Sequence, residues 1–397
     1  MKHEKRWAIV SLASIPLVMT LGNSMLIPVL PTIEKKLNIS SFQVSMIITL
    51  YSIVAIILIP IAGYLSDRIG RKKVIIPSLL IAGMGGIVSG WAAWKMDNPY
   101  ILILIGRVLQ GVGAAGAAPV VMPLVGDMFK SEKEVSKELG VIETSNTFGK
   151  VLSPILGSLL AGLVWFLPFF AIPIFCAISI LLMLFLVKSP KMKKPVPFKK
   201  FFKTIKKIFK KNAKWLIAIF IIGCILMFVL FGVLFYLSTM LEDEHKIEGV
   251  KKGLILAIPL ASLCIASFVT GKKIEENKVL MKWLTFIGIL LSAGSVFAIS
   301  FTENIYFLIS IFFICGMGIG VALPCLDALI TEGIEKEERG TITSIYSSMR
   351  FIGVASGPPL FVLLMKASHQ VMYYTVTGIC ILAAIIALVG IKPKEIK

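Results

Sequence analysis

Charge is scarce in this chain of 397 residues. Only 16% are Asp, Glu, Lys or Arg, against 57% hydrophobic, and the mean hydropathy is +0.90. Soluble globular domains carry roughly 25% charged residues, so the composition excludes one. Histidine occurs three times, as His3, His245 and His369 near expected termini or loops, and no nucleophile accompanies a base at catalytic spacing. That argues against an enzyme. No GxxxxGK[ST] stretch is present, so nothing points to nucleotide hydrolysis. The six cysteines (Cys176, Cys224, Cys264, Cys315, Cys325, Cys380) all fall in apolar stretches without ligand-type spacing. They read as small buried side chains, and neither a metal nor a cofactor is expected.

What fills the chain instead is apolar runs of roughly 20 residues, the length a helix needs to cross a ~30 Å hydrocarbon core. Twelve recur, near 7–30, 43–64, 74–94, 99–122, 141–162, 165–187, 215–238, 252–270, 280–300, 305–329, 342–365 and 371–391. The first follows Lys2, Lys5 and Arg6 as a signal peptide would. It is too long for one and ends in Pro28 and Pro31 without a small-residue cleavage site, so it counts as the first span.

Acids are outnumbered by bases, 22 to 41, for a net charge of +19. In a soluble protein that excess would suggest nucleic acid. Placing both termini in the cytoplasm puts 31 Lys and Arg in the inner segments, 7 outside and 3 within the spans (Arg107, Lys150, Arg350). The positive-inside rule therefore accounts for the basicity, and no nucleic-acid partner is expected.

Residues 188–214 hold twelve lysines and no acid. Pro190, Pro195 and Pro197 stop the sixth segment. Phe198, Phe201, Phe202, Ile205, Ile208 and Phe209 then recur at helical spacing, which predicts an amphipathic helix on an anionic inner leaflet. This linker separates an N-terminal six-helix bundle (1–187) from a C-terminal one (215–397). The halves echo each other. "GVGAAGAAP" from Gly111 matches "GMGIGVALP" from Gly316, and Gly149, Ser153 and Pro154 match Gly353, Gly357 and Pro358. Weak self-similarity at half length is what a duplicated bundle leaves behind.

Between the second and third segments stands "GYLSDRIGRKKV", residues 63–74. Gly63 allows close helix approach, Gly70 a turn at positive φ, and Asp67 can cap a helix N-terminus. Asp127, at the same depth on the fourth segment, is the nearest acid for the arginines Arg68 and Arg71.

This stretch resembles the GxLxDRxGRKxx signature of the major facilitator superfamily. Three more stretches resemble its twelve-helix drug:proton antiporters: "LGNSMLIPVLP" (21–31), "RVLQGVGAA" (107–115), and the fifth-segment pattern Gly140, Gly149, Ser153, Pro154, Gly157, in which serine replaces glycine at positions 153 and 158. The resemblance implies an all-α membrane protein, two pseudo-symmetric bundles of six helices that alternate access to a central site. It implies that Asp67 caps the helix starting near Thr341, that Arg71 pairs with Asp127 as an inner latch, and that Arg107 tunes proton coupling. The matching loop of the second half, "GKKIEENKVL" from Gly271, lacks the aspartate and both arginines.

Ionisable groups inside the membrane are costly and usually functional, on the order of 3 kcal/mol each. Glu143 and Lys150 share a face of the fifth segment; Asp327 and Arg350 lie at similar depth on the tenth and eleventh. Each pair reads either as a proton switch, through a carboxylate in an apolar cleft, or as a static ion pair. Met19, Met25, Met46, Tyr51, Phe148, Phe228, Phe231, Phe235 and Tyr236 either line an adaptable pocket or pack in cores and lipid. The reading is a multi-pass cell-membrane exporter of apolar or amphipathic small molecules, coupled to protons. A symporter of the same fold, or a receptor or scaffold working through the basic linker, are the alternatives.

Overall fold

A computed structural model describes residues 2–129, 132–188, 198–274, 277–301, 304–334 and 336–392, and every described element is helical. Pro190, Pro195 and Pro197 lie outside the described residues, as do Glu275 and Glu276 and the side chains of Phe198, Phe201, Phe202 and Ile205. The helices are α1 (Lys2–Ser24), α2 (Leu30–Leu37), α3 (Ser41–Ile69), α4 (Arg71–Lys95), α5 (Tyr100–Met128), α6 (Glu132–Leu163), α7 (Leu167–Leu186), α8 (Phe198–Asp243), α9 (Gly249–Lys273), α10 (Lys278–Ile299), α11 (Ile305–Gly333), α12 (Lys336–Ala367) and α13 (His369–Gly390). Among the described residues eleven segments are long and apolar enough to cross a membrane, with α1 and α2 counted as one. The 32 residues of α6 make a twelfth long helix.

The first span is broken rather than continuous. Pro28 and Pro31 supply no N–H to the ladder, so α1 gives way to a 3₁₀ turn at Ile27–Val29 and then to the eight-residue α2. Asn38, left-handed at φ 50°, ends α2; Ser40 and Gln43 then form a reciprocal capping box that starts α3. Gly70, at φ 106°, turns α3 into α4.

The chain divides into two compact units. Unit 1 comprises Met1–Pro197 with Ser238–Leu254, and unit 2 comprises Phe198–Leu237 with Ile255–Lys397. The tip of the α8–α9 hairpin thus clusters with the first unit while the rest of both helices belongs to the second. The linker's described part is the start of α8 itself, one continuous helix of 46 residues. At 1.5 Å per residue its contour is about 69 Å, more than twice the hydrocarbon thickness, so its lysine-rich first turns extend beyond any membrane it crosses.

The two units repeat the same solutions. In unit 1, Lys72 Nζ donates to the carbonyls of Val187 at 2.7 Å and Leu184 at 3.2 Å at the end of α7; in unit 2, Lys282 Nζ donates to Leu388 at 2.6 Å near the end of α13. A cation at a helix C-terminus answers the negative end of the macrodipole. Gly85 of α4 lies so close to Gly106 of α5 that a Cβ would strike its carbonyl, and Gly288 of α10 meets Gly318 of α11 in the same way. Small residues let backbones approach where lipid offers no hydrophobic drive. Lipid-compatible side chains such as Ile57, Leu163, Phe185 and Val389 remain exposed.

Candidate functional site

Arg107 of α5 is wholly buried, at 0% exposure, inside unit 1. Its Nε donates to the Ile47 carbonyl of α3 at 2.7 Å, Nη1 to the Gly22 carbonyl of α1 at 3.0 Å and to Gln110 Oε1, and Nη2 to Asn23 Oδ1 at 2.7 Å. The Tyr51 ring lies 4.6 Å from the guanidinium carbon. Every one of these acceptors is neutral, so the positive charge is solvated by dipoles and a π face. Only a guanidinium fork spreads donors over three helices at once. Gln110 sits one turn along α5 and gives its oxygen to Arg107; its Nε2 is buried without a partner among the described residues.

On α6, Gly149 and Gly157 lie against α1 and the turn that follows it. A Cβ on Gly149 would come within 3.1 Å of Leu17, and one on Gly157 would strike the Met25 carbonyl. Gly140 faces open space, so close packing explains nothing there. Ser153 Oγ donates to the Gly149 carbonyl at 2.6 Å, and Pro154 adds a missing N–H, two devices that bend a helix. Polar groups line the same seam. Ser145 Oγ donates to the Ala13 carbonyl at 2.8 Å, Thr20 Oγ1 to Asn146 Oδ1 at 2.5 Å, and Asn146 Nδ2 to Glu143 at 3.1 Å. Lys150 is buried two turns on from the half-buried Glu143.

At the α3–α4 turn Arg71 is the hub. Its Nε donates to Asp127 Oδ2 at 3.2 Å and its Nη1 to Ser66 Oγ at 2.7 Å, with Asp67 Oδ1 2.5 Å from Nη1. Ser66 in turn donates to the Gly63 carbonyl at 2.7 Å. Asp67 is half-exposed and Arg68 is exposed.

In unit 2 Asp327 of α11 meets Arg350 of α12 at 3.5 Å. The guanidinium lies 5.6 Å from the Tyr346 ring, which stacks on Phe220 of α8. Most of the aromatic and methionine side chains considered for a pocket are buried (Met19, Met25, Tyr51, Phe228, Phe231, Phe235 and Tyr236), while Phe148 is 54% exposed.

A charged cluster missed by sequence reasoning joins α2, α8 and α9 within unit 1. Glu242 accepts from Lys35 at 2.9 Å and from Lys252 at 2.6 Å, and Lys35 also reaches Asp243 at 3.0 Å. The apolar runs stop at 238 and resume at 252, which files these residues as loop. In fact α8 continues to Asp243 and α9 begins at Gly249. Charges flanking two adjacent apolar runs were the available signal.

A profile of the Major Facilitator Superfamily matches residues 12–358 and 281–397. The Bacillibactin exporter of Bacillus subtilis (strain 168) is 57% identical over 389 residues, 98% of this chain and 97% of that protein. Multidrug efflux protein YfmO of the same organism is 25% identical, over 93% of this chain and 89% of its own. A bacterial homolog of the human lysosomal transporter Spinster, solved in an inward-facing and unoccupied conformation, superposes with a TM-score of 0.83 at 15% identity, covering 100% of this chain and 98% of that one. With twelve long helices among the described residues, its repeated packing in two units and this profile match across nearly its whole length, the chain belongs to the Major Facilitator Superfamily and is a multi-pass membrane transporter.

Proposed function

We propose that this chain is a proton-coupled exporter rather than an enzyme, and that bacillibactin is the compound it carries. The near-full-length 57% identity to the Bacillibactin exporter carries this reading. The weaker likeness to YfmO supports efflux of small molecules more broadly. Both termini are placed in the cytoplasm, as the lysine distribution favours. The lysine-rich start of α8 then lies at the inner face, where anionic lipid headgroups attract it by about 1 kcal/mol per basic residue.

In this reading Arg107 supplies a fixed buried positive charge that tunes proton coupling. Glu143 with Lys150 in unit 1, and Asp327 with Arg350 in unit 2, are the acid and base pairs that exchange protons as substrate comes and goes. Asp67, Arg71 and Asp127, with Gly63, Arg68 and Gly70 shaping the turn, form the inner gate. Gly149, Ser153, Pro154 and Gly157 set the bend of α6, with Gly140 outside that packed stretch.

The test is reconstitution into proteoliposomes with an imposed pH gradient, presenting bacillibactin beside lipophilic cations, neutral drugs and sugars. Gradient-dependent movement of bacillibactin is expected. Movement of sugars alone would assign a different substrate class, and no movement by folded protein would overturn export.

A further inference from the structure

Arg107 carries a full charge into a part of unit 1 that no carboxylate on its partner helices shares. The three helices that supply its partners hold one acid each: Glu4 on α1, Asp67 on α3 and Asp127 on α5. Glu4 stands 19 residues from Asn23, Asp67 20 from Ile47 and Asp127 20 from Arg107, which at 1.5 Å per residue is about 30 Å in each case. Glu143 of α6 bonds Asn146 instead. A charge in a dry interior is costly unless it is paired and its hydrogen bonds are complete.

Those bonds are not complete. A guanidinium has five N–H groups, and the contacts to Ile47, Gly22, Gln110 and Asn23 use four of them. The fifth, on Nη2, is left over among the described residues. Gln110 adds to the surplus, because its oxygen is turned to Arg107 and that fixes which way the amide points. Both N–H groups of Nε2 therefore stand beside the same cation, buried and unpartnered among the described residues. Arg107 is 0% exposed and Gln110 2%, so bulk water does not serve them. Buried donors call for a bound acceptor. The positive charge beside them selects an anion over a neutral one.

The backbone limits the size of that anion. Gly106 and Gly111, next in sequence to Arg107 and Gln110, lie so close to the Gly85 carbonyl of α4 and the Tyr51 carbonyl of α3 that neither tolerates a Cβ. Seams this tight suit a single atom and exclude a polyatomic oxyanion.

We propose that Arg107 Nη2 and Gln110 Nε2 bind a monovalent halide, chloride, in the core of unit 1, where it is the counter-ion of the guanidinium. The site goes beyond the transport reading above and does not rest on it.

The experiment follows the thermal midpoint of full-length protein in lipid nanodiscs as sodium chloride replaces sodium gluconate at constant ionic strength. Chloride is expected to raise the midpoint saturably, by about 2 °C or more at tenfold the half-saturating concentration. Bromide should substitute for it, and sulfate should not. Gln110→Glu places a carboxylate beside Arg107, so its midpoint should no longer respond to chloride. A wild-type midpoint indifferent to chloride overturns the site. So does an undiminished response in Gln110→Glu, which would put the ion elsewhere. Anomalous diffraction from wild-type crystals grown in bromide needs no variant: a bromide peak in contact with Nη2 and Nε2 is expected. Density there without anomalous signal would be water and would equally refute the proposal. Neither measurement involves a transported compound, so failure here leaves the export reading standing.

Discussion

Replacing Arg107 by lysine tests whether the buried charge in unit 1 acts through its shape as well as its sign. The guanidinium makes four hydrogen bonds to acceptors on α1, α3 and α5 and faces the Tyr51 ring. An ammonium offers three donors from one point and cannot reach carbonyls on opposite sides of the cluster. At least one charged hydrogen bond is lost, worth about 1.5–3 kcal/mol. Weakening of the Tyr51 contact adds about 0.5–1 kcal/mol. The loss of about 2–4 kcal/mol falls on the packing of three helices. It should lower the thermal midpoint of detergent-solubilised protein by several degrees, read by intrinsic tryptophan fluorescence. Gradient-driven export should fall by an order of magnitude or more. An Arg107→Lys protein with wild-type midpoint and wild-type export would refute the reasoning, since charge alone would then suffice.

Other perturbations separate charge from packing. Gln110→Glu gives Arg107 the carboxylate its neutral partners do not supply; export should drop while the thermal midpoint is maintained or raised, and unchanged export would mean the uncompensated charge is not used. Asp67→Asn should slow export with protein remaining in the membrane at wild-type amount, as measured by quantitative blotting alongside transport. Asp327 is 39% exposed and its partner Arg350 19%, so solvent screening limits the stability cost of Asp327→Asn to about 1 kcal/mol. A large export defect with a nearly unchanged midpoint would support proton exchange there, and the reverse pattern would mark a static ion pair. Gly157→Val forces a Cβ into the Met25 carbonyl and should lower both the midpoint and the amount of folded protein.

The long apolar runs announced the spans because a bilayer demands about 20 consecutive apolar residues whatever their partners. The repeated small residues have matching packing: a Cβ on Gly111 would strike the Tyr51 carbonyl of α3, and one on Gly316 the Pro259 carbonyl of α9. Rotation of each helix was not legible. Phe148 and Phe228 both lie inside long helices, yet one is 54% exposed and the other 6%, because contacts between helices decide which face turns inward. The identity of Arg107 stood out in the sequence, but Asn23 and the carbonyls of Gly22 and Ile47 became its partners only once α1, α3 and α5 were packed. The cluster at Glu242 stayed hidden for a different reason: hydropathy falls where charges begin, although a buried ion pair allowed α8 to continue to Asp243.

Export of this kind requires that substrate and protons move in a coupled exchange. Proteoliposomes enclosing a pH-sensitive dye, with bacillibactin added to one side and no other energy source, measure it directly. Proton flux opposite in direction to bacillibactin movement, saturable and absent from protein-free vesicles, is the predicted result. Bacillibactin transport at the same rate with the pH gradient present, collapsed or reversed would contradict it.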